Sequence, residues 1–133
     1  MSAARTHTTN YVDTFIAVAP DTKAVTAAVP PARDAPTVAQ IQYEMLVDDP
    51  YVHTSDDVVH ASQGQRRGIA REEFFATGQP CLRTSPLVKT YGWGLHHDAQ
   101  GRIALYAVES AEYRELAARA DLTQLQGMRS SRR

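Results

Sequence analysis

Cysteine is nearly missing from this chain: Cys81 stands alone, which excludes an internal disulfide and a multi-cysteine zinc site and fits a reducing compartment. Long hydrophobic runs are missing too. None approaches the ~20 apolar residues that cross a bilayer, and Met-Ser-Ala-Ala-Arg-Thr-His-Thr-Thr-Asn at the start has no apolar stretch resembling a secretory signal. The expectation is a cytoplasmic protein with no membrane partner. An excess of charge is also lacking: 14 Lys and Arg stand against 15 Asp and Glu, a net charge of −1. No overall field therefore draws the chain toward nucleic acid or anionic lipid. There is no phosphate-cradling glycine loop, no HExxH helix and no nucleophile elbow, and no cofactor is expected. What remains is ordinary globular composition, 43% hydrophobic and 22% charged over 133 residues. That length suits one domain, 1–133, able to bury roughly two thirds of its unfolded surface.

What is present centres on residues 91–108, which read as one β-hairpin. Asp98-Ala99-Gln100-Gly101 suits a type I turn closed by a left-handed glycine. Such a turn pairs His97 with Ile103, His96 with Ala104, Leu95 with Leu105, Gly94 with Tyr106 and Trp93 with Ala107. Alternation then sorts the side chains. Trp93, Leu95, His97, Ile103 and Leu105 share the better core face. Gly94, His96, Ala104 and Tyr106 share a second face that is too apolar to be left in water, with Tyr106 placed to lie over Gly94.

The chain around the hairpin supplies helices. Thr14 to Ala19 is short and apolar and reads as a buried strand. Residues 20–36 hold four of the seven prolines and read as a long surface loop. Thr37 with Gln40 has capping-box spacing, Thr54-Ser55-Asp56-Asp57 is a second helix start rich in capping groups and acids, and Pro50 ends the first helix. Ile69 and Phe74 sit at staple spacing in a short third helix stopped near Gly78, and Cys81 to Lys89 reads as a strand interrupted at Pro86. Ser110 caps a last helix with Tyr113, Leu116, Ala117 and Ala120 on one stripe, and 122–128 is either loop or an added edge strand. The fold class is α+β, with a small mainly antiparallel sheet, three to four helices on one face, and flexible tails at 1–10 and 129–133.

Six blocks spread over the chain carry a family resemblance. They are His7-Thr8-Thr9-Asn10-Tyr11, Gln42-Tyr43-Glu44-Met45-Leu46, Thr54-Ser55-Asp56-Asp57-Val58, Gly78-Gln79-Pro80-Cys81-Leu82-Arg83, Tyr91-Gly92-Trp93-Gly94-Leu95-His96-His97-Asp98 and Met128-Arg129-Ser130. With these blocks the chain resembles a family of small uncharacterised bacterial proteins grouped as a domain of unknown function. The resemblance implies no activity.

Candidate chemistry follows from residue types. His96-His97-Asp98 is the densest cluster, but alternation sends His97 to one face and His96 with Asp98 to the other, so the three form no single site. His96 and Asp98 are candidate metal ligands that lack a third. His96 or His97 with Cys81 is a candidate acid–base or thiol pair. Tyr91, Trp93, His96 and Tyr106 are candidates for contacting a planar ligand, and Arg83, Lys89 and Arg102 for binding an anion on one rim of the sheet. Arg66, Arg67 and Arg71 lie in a faint helix–turn–helix pattern, which makes nucleic acid a further candidate partner, disfavoured by the neighbouring acids. The leading expectation is a binding or interaction module, self-associating as a homodimer through the second hairpin face. An enzyme is the alternative.

Overall fold

The hairpin forms as its turn chemistry dictates. A computed structural model of the chain describes residues 7–130. Within it Gly101 takes φ 77°, and the Asp98 carboxylate accepts the Gln100 and Arg102 amides at 2.9 Å each. Strands β2 (Trp93–His97) and β3 (Ile103–Ala107) pair in the expected register, from His97 with Ile103 out to Trp93 with Ala107. Strand β1 (Thr14–Ala17) joins antiparallel to β2, and the ambiguous C-terminal stretch supplies β4 (Thr123–Gln126), parallel to β1. The order is β3-β2-β1-β4, an α+β arrangement around one open, mostly antiparallel sheet.

Alternation along β1 places Phe15 and Ile16, both fully buried, on opposite faces, so the sheet has two cores. Ile16, Leu95 and Ile103 face the larger one. It is roofed by α1 (Val38–Asp48), α2 (Ser55–Val59), α3 (Arg71–Phe74) and α4 (Pro86–Lys89). Phe15 faces the smaller one with Tyr113 and Leu116 of α5 (Ala111–Ala117). The expectation of helices on a single face is therefore corrected. Helix α5 covers the second hairpin face, the one expected to receive a partner copy.

Gly94 is what lets α5 approach. A Cβ there would lie 2.6 Å from both Phe15 Cζ and Tyr113 Cε2. These two rings meet edge to face at 5.1 Å and fill the place expected for Tyr106. Gly94→Ala should therefore lower stability by about 1–3 kcal/mol through overpacking, read as a fall in the urea midpoint with unchanged slope.

Local signals explain most elements, and one stretch departs from its pattern. The Thr54 capping box is complete, and α2 runs on through a π turn (His60–Gly64) and a 3-10 turn (Gln65–Arg67) before Gly68 stops it at φ 71°. Cys81 to Lys89 is not a strand. It is a 3-10 turn (Leu82–Thr84) followed by α4, because Ser85 caps the Leu87 amide and Pro86 sits at the first helical position, where its missing N–H costs nothing. Helix α3 ends well before Gly78, and α5 stops at Ala117, leaving Ala117 and Ala120 exposed.

In α1, Thr37 accepts the Gln40 amide while the Gln40 side chain turns to Glu44. The inward face carries Gln42, 1% exposed. Its amide donates to Ser62 and accepts from Ser85, tying α1 to the helical runs that follow Thr54 and Ser85.

The proline-rich stretch 20–36 holds no helix or strand and is stitched to the open end of the hairpin. The Ala28 amide donates to the Tyr91 carbonyl, and the Trp93 indole donates to the Ala28 carbonyl at 2.8 Å. Of the expected N-terminal tail, residues 7–10 lie against α2 and α3, beginning with the His7 amide on the Phe75 carbonyl. Residues 1–6, and 131–133 of the C-terminal tail, lie outside the described residues. Among the described residues no helix is long and apolar enough to cross a membrane.

Candidate functional site

Three groups of polar side chains stand out, and the two histidines fall in different ones. On the larger-core face His97 is fully buried, and neither ring nitrogen has a hydrogen-bond partner among the described residues. Burial pushes its pKa down to about 4; backbone groups of Leu95 and Thr14 oppose the shift without making well-aligned hydrogen bonds. Its ring meets Tyr11 edge-on at 5.6 Å. Tyr11 in turn donates its hydroxyl to Cys81 Sγ at 3.2 Å, and burial pushes that phenol up to about 12. The polar partner of Cys81 is thus a protonated phenol. A phenol that donates to sulfur does not remove the thiol proton, so this geometry does not assemble the expected cysteine–histidine pair.

On the smaller-core face, His96 belongs to a relay of hydrogen bonds. The Tyr51 hydroxyl lies 2.8 Å from His96 Nδ1 and 2.6 Å from the Tyr106 hydroxyl. Burial lowers the His96 pKa, so the imidazole is held neutral, and burial with the Tyr106 contact raises that of Tyr51. The three line a cleft of about 210 Å³ beside α5, with Glu112, Glu115 and Arg119 at its rim. Tyr51 holds φ 60°, a left-handed conformation that costs a bulky residue about 1–3 kcal/mol and here aims its ring at the relay. Nothing in the sequence marks Tyr51. It follows Pro50 and reaches β3 through its amide on the Ile103 carbonyl.

The third group surrounds Arg83. The guanidinium Nε donates to the Gln126 carbonyl of β4 at 2.7 Å, and the Met128 amide donates back to the Arg83 carbonyl. The half-buried side chain is thereby fixed along the edge of the sheet. It lines a cleft of about 680 Å³ with Pro20, Gln126, Gly127, Met128, Arg129 and Ser130. That size lies within the ~300–1,000 Å³ of small-molecule sites. The two Nη groups of Arg83 have no hydrogen bond or ion pair with protein among the described residues.

The remaining candidates are dispersed. Arg83 sits at the β4 edge while Arg102 bridges to Thr54 at the β3 edge, so with Lys89 at the end of α4 they share no rim. Trp93 packs on Tyr43 at 5.5 Å and, with Tyr91, is engaged by the 20–36 loop rather than forming an open platform. Asp98 caps its own turn. Among the described residues no three His, Cys, Asp or Glu side chains gather around a common point. Arg71 is paired with Asp57 at 2.6 Å and lies over the Phe75 ring. Helix α3, four residues long, is too short to read a groove, leaving Arg66 and Arg67 as exposed cations.

No curated protein matches the chain, and no solved structure does. A family model matches residues 6–133, nearly the whole length. The chain belongs to DUF6157, a family of unknown function.

Proposed function

We propose that this chain is a binding module that holds a small organic anion in the Arg83 cleft. One observation carries the reading: a guanidinium is clamped through Nε, and among the described residues its two Nη groups have no protein partner beside a cleft of about 680 Å³. A fork held in this way is pre-organised for two parallel hydrogen bonds to a carboxylate or phosphate, and little further side-chain freedom is lost on binding. Pro20 and Met128 supply apolar walls for the body of such a ligand. The reading does not require a second copy, because the second hairpin face is covered by α5.

Thermal unfolding with millimolar benzoate, succinate or phenyl phosphate tests this. A ligand at 100 times its Kd stabilises the fold by about 2.7 kcal/mol, several degrees in midpoint. At least one of the three should raise the midpoint of the wild type, and Arg83→Gln should abolish that rise. No rise with any of them, or an equal rise in the variant, overturns the reading.

A further inference from the structure

The relay on the other face is built for chemistry that the Arg83 cleft does not need. We propose that the cleft beside α5 is an acid–base site for a small neutral carbonyl compound, with His96 and Tyr106 as its catalytic residues and Tyr51 as the positioning residue joining them.

Tyr51 has one hydroxyl proton and lies within hydrogen-bond reach of two partners, so the chain His96 Nδ1–Tyr51–Tyr106 has two self-consistent proton arrangements. In one, Nδ1–H donates to Tyr51, Tyr51 donates to Tyr106, and Tyr106 donates outward, which leaves His96 Nε2 as an acceptor. In the other every proton has moved one place, and Nε2 carries hydrogen. Among the described residues Nε2 has no hydrogen-bond partner and is not a buried unsatisfied atom, so it opens to solvent. His96 and Tyr106 line the same cleft.

A carbonyl compound with its oxygen on Tyr106 and an α-hydrogen facing Nε2 is balanced against this relay. Nε2 takes the α-proton, and the electron pair of the C–H bond becomes the C=C bond of an enol. The carbonyl oxygen takes the Tyr106 proton. Tyr106 is refilled from Tyr51, and Tyr51 from Nδ1. No net charge is left on any group, and the reverse shift returns a proton to carbon. A neutral imidazole at His96 and a protonated phenol at Tyr51 are states such a relay starts from, and burial favours both here.

The rim selects against anions: Glu112 and Glu115 face the cleft, and Arg119 is already held by both oxygens of Asp121, at 2.9 and 2.6 Å. In its left-handed backbone conformation Tyr51 holds the central hydroxyl between His96 Nδ1 and the Tyr106 hydroxyl.

Deuterium uptake into hydroxyacetone in heavy water, followed by proton NMR, is the test. The wild type should accelerate uptake at least tenfold over buffer. His96→Gln and Tyr106→Phe should each return it to the buffer rate, and Tyr51→Phe should lower it at least tenfold while leaving the KM for hydroxyacetone within twofold. A wild-type rate equal to buffer overturns the proposal, as does a rate retained within twofold in a folded His96→Gln or Tyr106→Phe.

Discussion

Asp56→Ala should destabilise the fold by about 3–5 kcal/mol, the loss expected when a buried charged acceptor with several donors is removed. Asp56 is 8% exposed at the second position of α2. One carboxylate oxygen accepts the Thr9 amide at 2.6 Å and the Thr9 hydroxyl at 2.8 Å, and the other accepts the Thr8 hydroxyl at 2.8 Å. The return contact comes from the Asp56 amide, which donates to Asn10 at 2.9 Å. Truncation leaves the buried Thr9 amide and hydroxyl without this acceptor and also removes a negative charge from the positive end of a helix. Asp56→Asn keeps the shape but turns one acceptor into a donor facing donors, so it should cost about 1–3 kcal/mol. Urea unfolding of the three proteins reads both values. A loss below about 1 kcal/mol for Asp56→Ala would mean that residues 7–10 are not held by this carboxylate.

The second large effect is a pH dependence. The folded chain holds His97 at about 4, whereas a free imidazole titrates near 6.5. Between these values the unfolded chain binds more protons than the folded one, so stability falls as the pH falls. The contribution is complete above about 6.5 and is lost on the way down through about 4. That is a change of roughly 3 kcal/mol, at about 1.4 kcal/mol for each pH unit between the two values. Carboxylates titrate in the same range, so the informative quantity is the difference from His97→Leu. That variant should be relatively more stable at pH 4 than at pH 7 by roughly this amount. Parallel stability curves for the two proteins would show that His97 titrates normally and is not enclosed.

The sequence was most legible where structure is local. Asp98 through Gly101 determine a turn, the turn determines the register, and the register places every residue of β2 and β3 on its face. The helix start at Thr54 and the Ser110 cap are of the same kind. Legibility failed where one residue serves two grammars. Ser85-Pro86 reads as a break in a strand but acts as a cap and first residue of a helix, and deciding between them needs the Gln42 amide that receives Ser85 from 43 residues away. It failed also where partners are distant in the chain. His96 and Tyr106 could be placed on one face, but Tyr51 between them depends on a left-handed turn after Pro50 and on its pairing with β3. Arg83 was visible as a cation; that β4 would run beside it and fix its Nε was not, because β4 is a four-residue parallel edge strand with no pattern of its own. Helix α5 was not foreseen on the second hairpin face, where its packing makes an internal core with a cleft at its edge.

The central claim is that Arg83 is the anion-binding group of this chain, and nitrogen-15 NMR during titration with the anion that raises the unfolding midpoint tests it most directly. Saturable shifts are expected for the Arg83 Nε–H and for the amides of Gly127 and Met128, which line its cleft. Shifts confined to the exposed Arg66 and Arg67, or no saturable shift at the Arg83 side chain, would contradict the account.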